Sequence, residues 1–91
     1  MLDIAVRFVP TDGVIGTRIE DEIVLLQFEK QSYFGLRGAA VRIWELTQRG
    51  ATGADIVRHL VQETDVSEGR AQADVTDTLQ KLLDVGLLRR A

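Results

Sequence analysis

The spacing of apolar residues changes near residue 38, and that change limits the fold more than any other feature of this chain. Ahead of it, apolar side chains alternate or cluster in β-branched runs, as strands require. Beyond it they recur at intervals of three and four, as amphipathic helices require. Strands in one block followed by helices in the next read as an α+β fold. No linker, repeat or low-complexity stretch divides the sequence, and 91 residues suit one small core, so residues 1–91 are expected to form a single domain.

In the first block, Ile4, Val6 and Phe8 alternate with Ala5, Arg7 and Val9, which suits a half-buried strand. Pro10 and the Asp12-Gly13 turn would end it. Val14 to Ile19 is ambiguous, because Gly13 and Gly16 loosen whatever forms there. Glu22 to Phe28 is the strongest strand, dense in Ile, Val and Leu. Glu29, Lys30 and Gln31 make a polar turn into Ser32 to Leu36, its hairpin partner. Gly35 either lets another backbone come close or marks a bulge.

The second block reads as three helices. Ala40, Ile43, Trp44 and Thr47 share one stripe, with Gly50 ending that helix. Thr52 and Asp55 make a capping box for the second helix, which turns Ile56, Val57, Leu60 and Val61 inward. Ser67 caps the third, whose stripe is Ala71, Val75, Leu79, Leu82 and Leu83 up to Gly86. Leu87 and Leu88 should fold back onto the core ahead of a charged tail at Arg89 and Arg90. A three-stranded antiparallel sheet followed by three helices is winged helix-turn-helix-like.

Composition leaves little room for catalysis. With no Cys and one His, the chain has no disulfide framework, thiolate metal site, thiol nucleophile or two-His metal motif. His59 has no partner constellation and reads as a surface or half-buried residue. Gly13 to Gly16 and Gly50 to Gly53 have GxxG spacing but lack the strand and lysine of a phosphate-binding loop. The expectation is a non-enzyme with no catalytic residue, metal or cofactor. Asp3 interrupts the N-terminus, and apolar runs such as Ile23 to Leu26 fall far short of the roughly 18 residues of a spanning helix. A cytoplasmic protein without a membrane partner is expected.

Two kinds of partner fit such a fold. In a winged-helix DNA-binding regulator the third helix would enter the major groove. Here that helix carries Glu68, Asp74, Asp77 and Asp84 against Arg70 and Lys81, within a chain of net charge −3, and this balance repels phosphates. The other partner is an extended peptide added to the open edge at Ser32 to Leu36, beside the third helix. Tyr33 or Phe34 would floor such a groove, and Val75, Thr78, Leu79 and Leu82 would wall it, although their spacing equally suits core.

The run from Gln31 to Leu46, with Tyr33-Phe-Gly-Leu36 and Ile43-Trp-Glu-Leu46, resembles the "Y-x-G-L … G … I-W-x-L" stretch of the PqqD-like family. Gly50-Ala-Thr-Gly-Ala-Asp-Ile-Val57 resembles its "G-x-T-x-x-x-I-V". Asp74-Val75, Leu79, Leu82-Leu83 and Gly86-Leu-Leu88 resemble its ending. The match runs over residues 20–88, and the hairpin followed by Ile-Trp is most similar to the B1 proteins of lasso peptide biosynthesis. The resemblance implies a RiPP recognition element, a non-catalytic domain that binds the leader of a ribosomally made precursor peptide. It also implies a partner, the cysteine-protease-like B2 leader peptidase or another modifying enzyme, and no nucleic acid. Carried over by position, the leader adds beside Gln31, Ser32, Tyr33, Phe34, Gly35 and Leu36. It then lies against Asp74, Val75, Thr78, Leu79 and Leu82 of the third helix.

Overall fold

Two tight turns organise the sheet of the computed structural model, which describes residues 2–91. Along the chain the elements are β1 (Phe8–Pro10), β2 (Val14–Ile19), β3 (Glu22–Gln27), β4 (Ser32–Leu36), α1 (Ala39–Gln48), α2 (Gly53–Glu63), α3 (Glu68–Asp84) and β5 (Leu88–Arg90). Strands β2, β3 and β4 pair antiparallel in that order. Ile19 faces Glu22 across the turn Glu20–Asp21, and Gln27 faces Ser32 across the turn 28–31. Glu20 and Gln31 take left-handed backbone in these turns, with φ of 56° and 49°.

Bonded and non-bonded pairs alternate along an antiparallel ladder, and a two-residue turn closes on a bonded pair. From the Ile19–Glu22 closure, β3 directs Glu22, Val24 and Leu26 to β2, and Ile23, Leu25 and Gln27 to β4. Side chains alternate with the same period. Ile23, Leu25 and Leu36 are buried against the helices, whereas Ile15, Ile19 and Tyr33 are exposed on the other face.

The helices supply the rest of the core. Ile43, Trp44, Leu46 and Thr47 of α1, Ile56, Val57 and Leu60 of α2, and Ala71, Val75, Leu79 and Leu82 of α3 are all buried. Both expected glycine terminators take positive φ one residue past the C-cap, Gly50 after Arg49 and Gly86 after Val85. Gly50 N–H donates to Thr47 O and Ala51 N–H to Leu46 O, while Gly86 N–H donates to Leu83 O and Leu87 N–H to Leu82 O. The second motif turns Leu87 and Leu88 into the core, where they are buried as expected. Val61 departs from expectation, standing 38 % exposed on the outer side of α2. Among the described residues, no helix is long and apolar enough to cross a membrane.

Two expectations about the strands need correction. The first strand of the main sheet is Val14–Ile19, not the segment around Ile4 to Val9. Ile4 instead caps α2: its carbonyl accepts from Ala54 N–H at 2.8 Å, and Val6 O accepts from Gly53 N–H at 3.3 Å. Backbone groups committed to a helix N-terminus cannot also serve a ladder, so only Phe8–Pro10 remains as β1. The expected charged tail is its partner. β5 pairs antiparallel with β1, setting Phe8 opposite Arg90 and Pro10 opposite Leu88.

The capping box of α2 is complete. Thr52 Oγ1 accepts from Asp55 N–H and Asp55 Oδ2 accepts from Thr52 N–H, both at 3.1 Å. That backbone bond from Thr52, then its side-chain partner, hold the Asp55 carboxyl below the usual carboxylate range. A depressed carboxyl lends stability above its ordinary pKa and loses it as pH falls through the lowered value. Thr52→Ala should cost about 1 kcal/mol and lower Tm by about 4–8 °C in a thermal melt, since it leaves the Asp55 N–H without its acceptor at the helix start.

Candidate functional site

β4 forms one edge of the sheet, and α3 runs beside it without closing against it. Because Ser32, Phe34 and Leu36 stand opposite Gln27, Leu25 and Ile23, their backbone groups serve the ladder to β3. The same alternation turns the N–H and C=O of Tyr33 and Gly35 away from the sheet. A row of unpaired main-chain groups of this kind is a template for another strand.

Between that edge and α3 lies an open cleft of about 220 Å³. Phe34, Gly35 and Leu36 form its strand side, Ala40 of α1 its end, and Asp77, Thr78, Lys81 and Leu82 its helix side. Phe34 is half-buried, Leu36 is 3 % exposed, and Thr78 is half-buried, so the floor is apolar. Asp77 and Lys81 are exposed, four residues apart, and mark the rim. Nothing lies within 4 Å of a Cβ built at Gly35, so the sheet face at that position is open.

The expected site residues divide into groups. Gln31, Ser32, Tyr33, Phe34, Gly35 and Leu36 all lie on β4 or the turn before it. Gln31 and Ser32 stand at the hairpin end, and Tyr33 is 78 % exposed, with its ring on the sheet face turned away from the helices. Thr78 lines the cleft, and Leu82, fully buried in the core, borders it from beneath. Asp74 borders a neighbouring opening and holds Arg70 at 3.2 Å. Val75 and Leu79 are fully buried, and we correct their expected placement on the groove wall to the core. The core takes positions 75, 79 and 82 of α3, which rotates Asp77, Thr78 and Lys81 toward β4. Ala40 and Lys81 were missed by sequence reasoning. Lys81 could have been found from its helical spacing to Asp74, Asp77 and Thr78, which puts these residues on one face.

Beyond the C-terminal end of β4 the cleft is followed by a second opening of about 260 Å³, reached past Gly38 and Ala39 and lined by Leu60 and Val66. Arg42 closes its rim with a two-pronged pair to Glu63, at 2.9 and 2.8 Å. That hydrogen bond from Arg42 is the main reason the Glu63 carboxyl lies below its usual range. His59 is exposed, stands 3.7 Å from Glu63 and lines neither opening. Among the described residues, no group of three or more His, Cys, Asp or Glu could hold a metal. What these surfaces offer is main-chain hydrogen bonding along one edge and apolar burial beside it.

Residues 22–88 match the family model of PqqD, coenzyme PQQ synthesis protein D. Two solved structures are similar in fold. One, of TbiB1 in complex with the TbiA(beta) leader peptide, is 34 % identical with a TM-score of 0.83, covering 88 % of this chain and 93 % of that one. The other, of a lasso peptide synthetase B1 complexed with the leader peptide, is 22 % identical with a TM-score of 0.85, covering 91 % of this chain and 98 % of that one. No curated protein matches the sequence.

Proposed function

This chain belongs to the PqqD family, and from that premise we propose that it binds the leader segment of a ribosomally made precursor peptide and presents it to an enzyme. The relative with 34 % identity was solved with a leader peptide bound, which supports the same class of ligand here. The lasso class of precursor follows from that likeness. The chain itself is not an enzyme on this reading. Its partner, a leader peptidase or another modifying enzyme, supplies the chemistry.

The observation that carries the proposal is the open edge of β4 beside an apolar cleft. An extended leader adds there as a fourth strand, bonding to the outward main-chain groups of Tyr33 and Gly35. Its alternate side chains enter the cleft over Phe34, Leu36 and Leu82. Thr78 and the rim pair Asp77 and Lys81 read the polar flank of the leader.

The test is an anisotropy titration of a labelled leader peptide from a lasso peptide precursor, with duplex DNA of similar length in parallel. The leader should bind saturably, with little change between low and moderate salt. DNA binding that weakens steeply with salt, in the absence of leader binding, would overturn the proposal in favour of a winged-helix regulator. Asp77→Lys should shift leader affinity by about threefold to tenfold, the scale of one rim charge. An unchanged affinity in that variant would remove α3 from the site.

A further inference from the structure

The opposite edge of the sheet carries a cleft of its own. β2 has a single sheet neighbour among the described residues, β3, so its other side is open. The pairing that turns Tyr33 and Gly35 outward on β4 turns Val14, Gly16 and Arg18 outward on β2. In agreement, Val14 N–H goes to Thr11 O at 3.2 Å. Between this edge and α1 lies an opening of about 330 Å³, bordered by Gly16, Arg18, Trp44, Glu45 and Arg49.

Trp44 is the unusual member. It is 2 % exposed, yet its indole Nε1 has no hydrogen-bond acceptor. Buried donors in folded proteins are nearly always paired, and an indole N–H can only donate. A Cβ at Gly16 would lie 3.3 Å from that nitrogen, so the absence of a side chain at Gly16 sets the strand edge directly against the indole. The charges at the opening are unevenly matched. Arg18 pairs with Glu45 at 3.1 Å, and Arg42 also approaches Glu45, at 3.8 Å. Arg49 takes part in none of the ion pairs among the described residues. The opening therefore offers an unpaired strand edge, an unused buried donor and an uncompensated cation.

We propose that the β2 edge is a second docking site, which takes an extended, carboxylate-bearing segment of the enzyme that acts on the bound leader. The segment pairs with Gly16 and Arg18, gives the Trp44 indole an oxygen acceptor and sets its carboxylate against Arg49. The proposal rests on the leader-presenting reading of β4. One three-stranded sheet then holds substrate on one edge and enzyme on the other, without competition between them.

Trp44 is the only tryptophan in the chain, so its indole N–H gives a single, unambiguous NMR resonance. The probe is a blocked pentapeptide, Thr-Val-Glu-Val-Thr, titrated into the ¹⁵N-labelled full chain to about 5 mM, the range in which one short strand binds. The expected result is movement of the indole resonance and of the Gly16 and Arg18 amides. Replacing Glu by Gln in the probe should weaken binding about threefold to fivefold. Arg49→Glu, an exposed substitution, should abolish that preference. Movement confined to the Tyr33 and Gly35 amides, equal binding of the two probes, or no movement would overturn the proposal. Leader titrations run alongside keep the two readings apart. An Arg49→Glu chain should bind leader like the parent, whereas a parent chain that binds no leader removes the β4 reading alone.

Discussion

Replacing Tyr33 with proline should weaken leader binding about tenfold to a hundredfold while leaving the melting temperature within a few degrees of the parent. The Tyr33 N–H is turned away from β3 by the register of the hairpin, so proline there removes no bond within the domain. It does remove a donor to the added strand and puts ring carbons in that strand's path, about 1.5–3 kcal/mol together. Tyr33→Ala separates the two contributions, because the side chain is largely exposed on the far face of the sheet and its loss should change affinity little. Proline at Phe34 should behave in the opposite way. That N–H serves the ladder to β3, opposite Leu25, so Phe34→Pro destabilises the hairpin itself, by about 3 kcal/mol. A proline scan that reads binding and melting side by side should therefore alternate with a period of two. Equal binding by Tyr33→Pro and Tyr33→Ala would remove strand addition as the mode of recognition.

The second large effect is expected far from the leader, at Gly53. A Cβ at that position would lie 2.7 Å from Ile4 Cβ and 2.9 Å from the Ile4 carbonyl oxygen. The second of these atoms is main chain, held by its bond from Ala54 N–H, and cannot swing aside. Gly53→Ala should cost about 2–3 kcal/mol through overpacking, lowering Tm by roughly 8–20 °C. Gly69 is the control. It lies in the first turn of α3 with nothing within 4 Å of a built Cβ, so Gly69→Ala should raise stability by about 0.5–1 kcal/mol. If both alanines melt alike, the N-terminal segment does not cross α2 as described.

These two sites also show where the sequence was readable. The caps at Thr52 and Ser67, the terminators Gly50 and Gly86, and the hairpin of β3 and β4 follow from chemistry within a few residues, and all of them form. β2 is ambiguous in the sequence because Gly16 argues against a strand; the Trp44 indole, which a side chain at Gly16 would crowd, is distant in sequence. Ile4 to Val9 alternates as a strand should, yet the orphan N–H groups at the start of α2 compete for its carbonyls and win. β1 and β5 are three residues each, too short to show any period. On α3, the stripe Ala71, Val75, Leu79 and Leu82 is buried as its spacing requires, with Leu83 half-buried at its margin. Which flank of that stripe faces β4 depends on how the sheet and helix meet, so Lys81 was missed while Val75 and Leu79 were placed on the groove wall.

The pairing of β1 with β5 has a consequence for how this domain can be joined to others. Phe8 stands opposite Arg90, and Ala91 N–H donates to Arg7 O at 3.1 Å, so the entering and leaving strands run side by side, about 5 Å apart. Neither belongs to the sheet that carries the β2 and β4 edges. A polypeptide continuing from Ala91 therefore departs beside Arg7, whereas the chain reaches Arg7 from Leu2 and Ile4, which lie against Gly69 and Ala73 of α3 and cross the start of α2. In engineering terms, a fusion after Ala91 leaves both peptide-pairing edges clear, and one ahead of Leu2 must preserve the segment that caps α2.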